Sequence, residues 1–440
     1  MMVEEIKNSY SGKYLSAKAA MQLIVSGDVI LANPVAAMPN ELLRQLAKRY
    51  KEVENINVYV TFITEPFAFM VRPEVAKNIR MTSMFMGPLE RKLYSNRLFN
   101  INSINFSDIG NYLKEEVKPN WFLLQTTEMD ESGFFNVGPM GAAMMRDAMK
   151  VAEKVIVQVN RKLLPINQTQ DKFIGADHVL HISEVDYIVH HDEELTEIPV
   201  GEASEVDRKI AEYIVTKISD GATLQVGFGS LANAVSLGLR GKVRDLAVHT
   251  EMVPESMMDL INENVITRNV FGGFAMGSQR LYEFVSQRSE ISFGLLSEIN
   301  NPKTISEIND FVSINACLMV DLTGQVTSEG IGTRQVSSIG GAGDFVRGAT
   351  HSPGGKSFLC VTSTNKDKSG KITSNIVFSL PEATPVTVPR HDVMYIVTEF
   401  GIANLFNQPL QERVKRLIAI AHPDFRDALT LQAVEAGILR

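Results

Sequence analysis

The chain has 440 residues, of which 45% are hydrophobic and 21% charged, and its formal net charge is −8. This length exceeds one ordinary core, so we expect two domains or one very large α/β unit. The composition is typical of a soluble globular protein, and the negative balance argues against a nucleic-acid surface without excluding a local basic pocket for a phosphorylated ligand. There is no run of 18 apolar residues and the N-terminus is polar, so we predict neither a membrane span nor a signal peptide.

Short apolar runs typical of strands recur along the chain and alternate with helical patterns. In chain order the runs are DVILAN (28–33), INVYVTF (56–62), WFLLQTT (121–127), KVIVQVN (154–160), TLQVGF (223–228), DLAVHT (245–250), FVSINACLMVDL (311–322), SFLCVTST (357–364) and VMYIVTEFG (393–401). Apolar residues at helical spacing are clearest over residues 40–53 and 205–219. This alternation predicts an α/β fold with mainly parallel sheets.

Several segments recur in the same order, which indicates an internal duplication. The matched pairs are 26–47 with 219–240, 131–138 with 322–330, and 184–191 with 391–399. Matched glycines are offset by 194 and 191 residues, and matched tyrosines by 208. We therefore predict two copies of one α/β unit, spanning residues 1–200 and 201–440. The boundary lies in the acidic segment 190–209, which contains Pro199 and Gly201 and is most simply a solvated linker.

The two cysteines, Cys317 and Cys360, both lie in strand-like apolar runs. A buried cysteine behaves as a small hydrophobe, and neither has a histidine beside it that would favour a thiol nucleophile. Two cysteines are too few for a disulfide framework or a metal-ligand cluster. The sequence therefore predicts a reduced, cytoplasmic protein without a metal site.

A glycine turn over residues 224–235 follows one predicted strand and opens a helix. Gly227 and Gly229 would let the backbone approach a ligand, with free N–H groups at the helix start. The third glycine of a dinucleotide-binding motif would fall at Ala232, where alanine is tolerated. From the residues alone, an NAD-dependent oxidoreductase and a turn without a ligand both remain open.

Glu251 directly follows the apolar run 245–250 and precedes Pro254 and a predicted helix. It lies 22 residues beyond Gly229, close to where a ribose-binding acid belongs in a dinucleotide site. It could also be an acid that favours the next helix start, or the group that performs the chemistry, since ligands of open α/β sheets bind at the carboxyl ends of strands. His249, two residues earlier, would share its face of the strand.

A second glycine cluster over residues 337–357 surrounds Arg347 and Lys356. Basic side chains among exposed backbone N–H groups suit phosphate contacts, although a flexible loop between two strands explains the same composition. Later in the chain, Glu399 follows another predicted strand. His422 precedes Pro423 between two predicted helices, which favours a turn or capping residue over a base.

Seven segments together resemble one family. They are LQVGFGSLANAVSLGL, VHTEMVPESMMDL, FAMGSQRLYEFV, INACLMVDLTGQVTSEGIGTRQVSSIGGAGDFVRGA, GGKSFLCVTST, VTVPRHDVMYIVTEFGIANL and IAIAHPDFRDAL. The chain resembles the acetyl-CoA hydrolase/transferase family, and more narrowly its 4-hydroxybutyrate and butyrate:acetate CoA-transferases. The resemblance runs from roughly residue 10 to the C-terminus and is densest from 220 to 430. It specifies the family but not the acyl group.

The resemblance implies a homodimer whose chain folds as two similar α/β domains of the CoA-transferase fold, with the site between them. It implies that Glu251 forms a glutamyl-CoA thioester and that Asn315 and Glu399 line the acyl and carboxylate site. The oxyanion and CoA-binding residues that it suggests are Gly227, Phe228, Gly229, Gly340, Gly341 and Gly343, to which we add Lys356 as a basic contact. The family's glycine-rich first turn is replaced here by Asn33-Pro34-Val35.

The sequence thus predicts a CoA-transferase that moves CoA from a short-chain acyl-CoA to a carboxylate such as acetate, with CoA as substrate and no permanently bound cofactor. Phe271, Phe274 and Met276 suggest a short apolar acyl chain, although core packing explains them better. An acyl-CoA hydrolase on the same fold is the nearest alternative. A CoA-binding subunit without turnover and an NAD-dependent oxidoreductase are the others.

Overall fold

The computed structural model describes residues 2–63, 65–198 and 201–440. By its internal contacts the chain divides into two compact units, Met1–Pro199 with Phe271–Ile299, and Val200–Val270 with Asn300–Arg440. The predicted boundary at residue 200, with Pro199, lies outside the described residues.

The segment Phe271–Ile299 groups with the first unit, which differs from the predicted range 201–440. Specific bonds within that unit account for this. Leu296 N–H donates to the Ala143 carbonyl at 2.8 Å, and the Asn167 amide donates to the Phe293 carbonyl at 2.8 Å.

A large parallel sheet forms the centre of the first unit. Its strands, in spatial order, are Asn100–Ile101, Ile79–Ser83, Ile56–Val60, Val29–Ala32, Trp121–Thr126, Lys154–Val159 and Tyr187–His190. Every residue of Trp121–Thr126 is buried, as expected for a central strand covered on both faces. Shorter strands are Phe134–Asn136 and Val179–His181, which pair with each other, and Ile291–Phe293, which lies beside Ile266–Ala275 at the edge of the other large sheet.

The second unit repeats this arrangement. Its main strands, in spatial order, are Ile266–Ala275, Leu246–Val253, Thr223–Val226, Phe311–Ala316, Lys356–Cys360, Tyr395–Thr398 and Gly401–Asn404. The last strand is antiparallel to its neighbour. Shorter strands are Met319–Asp321, Val326–Thr327, Gly330–Ile331, Arg334–Gln335, Thr364–Lys366, Ile372–Ser374 and Ile376–Val377.

Helices connect the strands in both units. Those of the first unit are Met2–Ser9, Ala17–Gln22, Asn40–Lys48, Ala68–Val71, Pro73–Ala76, Pro88–Leu93, Ile109–Tyr112, Gly138–Gly141, Met145–Met149, Gln279–Ser286 and Leu296–Ile299. Those of the second are Glu205–Val215, Ser230–Leu239, Glu255–Asn262, Pro302–Ser306, Ala342–His351, Leu410–Ile420 and Pro423–Glu435. Within the described residues, none has both the length and the apolar character required to cross a bilayer.

Each of the two large sheets has a point at which the strand order reverses. In the first sheet, Val29–Ala32 lies between Ile56–Val60 and Trp121–Thr126. In the second, Thr223–Val226 lies between Leu246–Val253 and Phe311–Ala316. The prediction of a duplicated α/β fold with mainly parallel sheets is therefore confirmed. In folds of this kind, ligands bind beyond the carboxyl ends of the strands at such a reversal.

Candidate active site

Glu251 lies within a strand of the second unit. The strand Leu246–Val253 continues for two residues beyond it, so the expectation that the strand ends before Glu251 is wrong. Pro254 then caps the helix Glu255–Asn262, whose first acidic residue is Glu255. Glu251 is therefore not the acid that starts this helix.

Three neighbours surround the carboxylate of Glu251. The Asn300 amide donates to Oε2 at 2.8 Å, and the backbone N–H of Gly341 also donates to the carboxylate. The pKa of Glu251 is raised to about 7, mainly by burial; the negative charge of Asp344 adds to this rise, and the two donors oppose it. The site thus holds a partly buried carboxylate with one of its oxygens fixed by Asn300.

Gly341 is the point of closest approach to this carboxylate. A Cβ atom added there would lie 2.0 Å from Oε2 of Glu251 and 2.2 Å from Nδ2 of Asn300. Its φ of −89° is open to any residue, so the glycine is required for space and not for backbone conformation. Gly341 also caps the helix Ala342–His351, whose positive end stabilises negative charge nearby.

The strand register places Glu251, Gly227 and Asn315 at one height. Leu224 is paired with Val248, and Val226 with Ile314. Continuing both registers sets Gly227 level with Glu251 on one side and with Asn315 on the other. Because Gly227 has no side chain, a gap is left between the carboxylate and the amide at the reversal point of the sheet.

A buried network of amides holds Asn315. Its Nδ2 donates to Gln225 Oε1 at 3.1 Å and to Ser313 Oγ at 2.8 Å, while Gln225 Nε2 donates to its Oδ1 at 3.2 Å. Both amide hydrogens of Asn315 are therefore engaged. This network fixes the orientation of the side chain beside the gap.

The turn after Thr223–Val226 differs in one respect from the prediction. The N–H of Gly227 donates to the Ile314 carbonyl at 3.0 Å and thereby continues the sheet, so it is not free to bind a ligand oxygen. In the part of the chain that the structure describes, the N–H groups of Phe228 and Gly229 have no acceptor. Gly229 has a φ of 120°, which only glycine adopts readily, and it caps the helix Ser230–Leu239.

The structure does not bring Lys356 to this site. Lys356 begins its strand and pairs with Val312, whereas Asn315 pairs with Leu359. It therefore lies three residues, about 10 Å, toward the amino end of the sheet. Its ammonium donates to the Gly354 carbonyl at 3.3 Å. Lys356 is close to the glycines in sequence, and this gave no indication that it lies away from Glu251 and Asn315 in the fold.

The remaining predicted site residues lie in two places. Gly340, with a φ of 56°, precedes Gly341, and Gly343 lies inside the helix that follows. That helix replaces the flexible loop that was the alternative interpretation of the segment. Glu399 follows the strand Tyr395–Thr398 and accepts hydrogen bonds from the Ser363 N–H at 3.0 Å and its hydroxyl at 2.5 Å. Two strand spacings separate its strand from that of Asn315.

Several residues of uncertain role now have structural explanations. Phe274 and Met276 are buried core residues. The ring of His249 packs edge-on against Phe311, with the ring centroids 6.0 Å apart. His422 caps the helix Pro423–Glu435 as predicted, with its ring nitrogen accepting from the Asp424 N–H.

Cys360 is buried, as the sequence predicted, whereas Cys317 is only partly buried. Burial raises the pKa of Cys317 to about 12 and also raises that of Cys360, so thiolate formation is disfavoured at both. No group of three or more metal-binding side chains occurs within the described residues.

Asn300 and Asp344 are the two site residues that the sequence analysis missed. Asn300 is fully buried and lies just before Asn301, which caps the helix Pro302–Ser306. An Asn-Asn-Pro sequence indicates a helix start and carries no signal for contact with a distant carboxylate. Only the folded chain brings Asn300 and Asp344 to Glu251.

Two family models match the chain. The N-terminal domain model of the acetyl-CoA hydrolase/transferase family covers residues 2–220, and its C-terminal domain model covers residues 277–433. The chain belongs to the acetyl-CoA hydrolase/transferase family. The resemblance inferred from the sequence motifs is therefore confirmed, and this membership displaces the oxidoreductase alternative.

Full-length relatives support the same assignment. A butyryl-CoA:acetate CoA-transferase of Anaerostipes caccae is 35% identical over 99% of this chain and 98% of its own length. A 4-hydroxybutyrate coenzyme A transferase of Clostridium kluyveri is 31% identical over 97% and 98%. The crystal structure of RipA from Yersinia pestis superposes with a TM-score of 0.88 at 34% identity, covering 98% of this chain and 99% of RipA. The predicted enzyme class, a CoA-transferase, is confirmed.

Proposed function

We propose that this enzyme transfers CoA from butyryl-CoA or 4-hydroxybutyryl-CoA to a carboxylate such as acetate, in a ping-pong reaction through a covalent intermediate on Glu251. The substrates named for the two curated relatives support this choice of acyl groups. The observation that carries the mechanism is the environment of Glu251, where one carboxylate oxygen is fixed by Asn300 and partial loss of hydration raises the pKa of the group. A desolvated carboxylate is a stronger nucleophile than a hydrated one.

The first half-reaction has two steps. A carboxylate oxygen of Glu251 attacks the thioester carbonyl carbon, the carbon–sulfur bond breaks, and CoA leaves as its thiolate, which gives a mixed acyl–glutamyl anhydride. The thiolate then attacks the glutamyl carbonyl carbon and the acyl group leaves as its carboxylate. The enzyme is left as a glutamyl-CoA thioester.

The second half-reaction reverses these steps with a different carboxylate. An incoming acetate attacks the glutamyl thioester and expels CoA thiolate, which then attacks the acetyl carbonyl of the new anhydride. Acetyl-CoA leaves and the Glu251 carboxylate is restored. Water must be excluded while the glutamyl-CoA thioester exists, because hydrolysis would release CoA and dissipate the free energy needed to form the new acyl-CoA.

Each step passes through an oxyanion that requires nearby hydrogen-bond donors. The N–H groups of Phe228 and Gly229, beside the gap over Gly227, are the donors that we assign to it. The N–H of Gly341 already contacts the Glu251 carboxylate and would serve the oxyanion that forms on the glutamyl carbon. Asn315 borders the gap, where it would position the acyl group.

Intact-protein mass spectrometry tests the mechanism. Wild-type enzyme incubated with butyryl-CoA should gain the mass of CoA less one water, and borohydride should convert the adduct to an alcohol at position 251. Glu251→Ala should gain nothing. A wild-type protein without any adduct, or an adduct on both proteins, would refute the covalent role of Glu251.

Adding acetate to the isolated adduct separates transferase from hydrolase. Release of acetyl-CoA supports the transferase, whereas release of free CoA alone at the same rate with and without acetate would identify an acyl-CoA hydrolase. The homodimer and the cytoplasmic location stay predictions. Light scattering coupled to size-exclusion chromatography measures the first.

A further inference from the structure

A shallow cavity of about 320 Å³, open to solvent, lies at one edge of the sheet of the first unit. Its wall comes from two segments that border neighbouring parallel strands, Ile79–Ser83 and Asn100–Ile101. The lining residues are Pro73, Ala76, Lys77, Arg80, Met81, Arg97, Leu98, Phe99 and Asn100. Neither a carboxylate nor any other acidic group is among them.

Three cations line this cavity together. Lys77, Arg80 and Arg97 are all exposed, and within the described residues none of them forms an ion pair. The neighbouring acid Glu74 is engaged with Arg72 at 2.6 Å. In a chain with a net charge of −8, three unneutralised cations around one small cavity create a local positive potential that favours an anion.

The cavity lies at the opposite end of its strands from the carboxyl ends, where ligands of parallel sheets bind. Arg80 and Met81 are in the first half of their strand, and Arg97 to Phe99 precede the next. The cavity is therefore at the amino ends of these parallel strands. Substrate sites of such sheets form at the carboxyl ends, so this cavity is not where that rule places a substrate.

The shape and lining restrict the occupant. A volume of about 320 Å³ is at the lower end of the range for small-molecule pockets, roughly 300–1,000 Å³. It admits a small ligand or one headgroup. A phosphoryl group carries close to two charges at neutral pH and three acceptor oxygens, so it can contact three cations at once. A single carboxylate has only two oxygens and one charge.

We propose that this cavity binds the phosphoryl group of a small anion. Arg80 and Arg97 supply forked N–H donors, Lys77 supplies a point charge, and the buried side chains of Met81 and Phe99 form an apolar floor for the organic part of the ligand. The source is either a free phosphate ester or the phosphorylated headgroup of a larger ligand. The cavity belongs to the first unit, whereas Glu251 belongs to the second.

Arg97 allows a test that does not depend on damage to the fold. Its φ of 55° is in the left-handed region, where glycine is less strained than arginine. Arg97→Gly should therefore keep or raise the melting temperature while it removes one cation from the cavity. A loss of binding in this variant cannot be attributed to unfolding.

Titration calorimetry with inorganic pyrophosphate measures the site on the full-length protein. Removal of one charge-assisted contact should weaken binding by about tenfold in Arg97→Gly, and the double variant Lys77→Gln/Arg80→Gln should lose more. The control Lys242→Gln/Arg280→Gln removes the same charges from other exposed positions and should change binding by less than about twofold. Absence of binding to the wild type at millimolar pyrophosphate, or equal weakening in the control, would overturn the proposal.

Competition then identifies the source of the phosphoryl group. If free CoA displaces pyrophosphate from Glu251→Ala protein in a one-to-one ratio, the cavity holds a phosphate of the CoA headgroup. If CoA and pyrophosphate bind together, the ligand is a separate phosphate ester. Both results require a phosphoryl site at Arg97.

Discussion

The two strand-end turns of this protein share one backbone arrangement and differ in their chemistry. In the first unit, Asn33 N–H donates to the Leu123 carbonyl at 2.9 Å, as Gly227 N–H does to Ile314 in the second. Continuing the first register sets Asn33 level with Thr61. Asn33 thus corresponds to Gly227, and Thr61 to Glu251.

The side chains show what each turn can do. Asn33 is fully buried, and its amide donates to the Gly141 carbonyl at 3.2 Å, so its side chain fills the place that Gly227 leaves open. Thr61 offers no carboxylate, and Val35 has an unusual φ of 40° where the second turn uses Gly229. The comparison teaches that the duplicated fold supplies the position in both units, whereas only the second unit combines a glycine with a carboxylate there, as the proposed mechanism requires.

Removal of the carboxylate from the second turn should have the largest effect. We expect Glu251→Ala to lower kcat by on the order of 10³-fold or more, because the covalent route needs this oxygen. Steady-state assay of acetyl-CoA formation measures this. The control Glu263→Ala removes an acid that forms an exposed pair with Arg240 and should stay within about twofold of wild type. Substantial activity in Glu251→Ala would place the nucleophile elsewhere.

Filling the space around the carboxylate should have the next largest effect. In Gly341→Ala the new methyl group would meet Oε2 of Glu251 at 2.0 Å, so the carboxylate must move by more than about 1 Å, which can cost about 10²-fold in kcat/KM. In Gly227→Ala the nearest atom is the Ile314 carbonyl oxygen at 3.6 Å. That variant should fold normally and lose less activity. A larger loss of activity in Gly227→Ala than in Gly341→Ala would contradict the assigned geometry.

The pH profile sharpens the comparison, because only the second turn carries a titrating group. Glu251 must be deprotonated to attack, so kcat/KM should rise with pH and reach half its maximum near pH 7. Asp344→Asn removes a charge that raises the pKa of Glu251 and should move this limb to lower pH. Asn300→Ala removes a donor that lowers the pKa and should move it to higher pH. If both variants lost activity without moving the pH profile in opposite directions, Asp344 and Asn300 would have only structural roles.

The smallest expected effect is on folding stability and concerns Glu90, a buried carboxylic acid of the first unit. It is fully buried, it accepts from the Ile63 N–H at 2.8 Å, and burial raises its pKa from 4.5 to about 7. The folded protein thus holds this proton more tightly than the unfolded chain, and the resulting stability, present at low pH, is lost as the pH rises from 4.5 to 7.

The amide variant removes this dependence. Glu90→Gln keeps the acceptor for Ile63, so it should raise the free energy of unfolding by about 1 to 3 kcal/mol at pH 8 relative to wild type, and by less at pH 5. Urea denaturation at the two pH values measures the difference. Equal effects at both would show that Glu90 has an ordinary pKa.

Much of the fold could be predicted because its signals are local. Apolar runs, glycine turns and their repeat offsets lie within short segments, and they predicted both copies of the parallel sheet. The position of Glu251 near a strand end was local in the same way, although its strand extends to Val253. Pro423 and His422 likewise marked a helix start correctly.

The contacts of the site were decided by the tertiary structure. Asn300 reaches Glu251 across 49 residues of sequence, and Gly341 arrives on the cap of a helix whose segment also suited a loop. The distance of Lys356 from the level of Glu251 was not visible in the sequence, because adjacency to glycines does not show at which end of a strand a residue lies. By itself the sequence determined the elements and the duplication, and it predicted Glu251 as the nucleophile. Packing determined which distant groups hold that carboxylate, because their contacts depend on how strands far apart in the chain align in register.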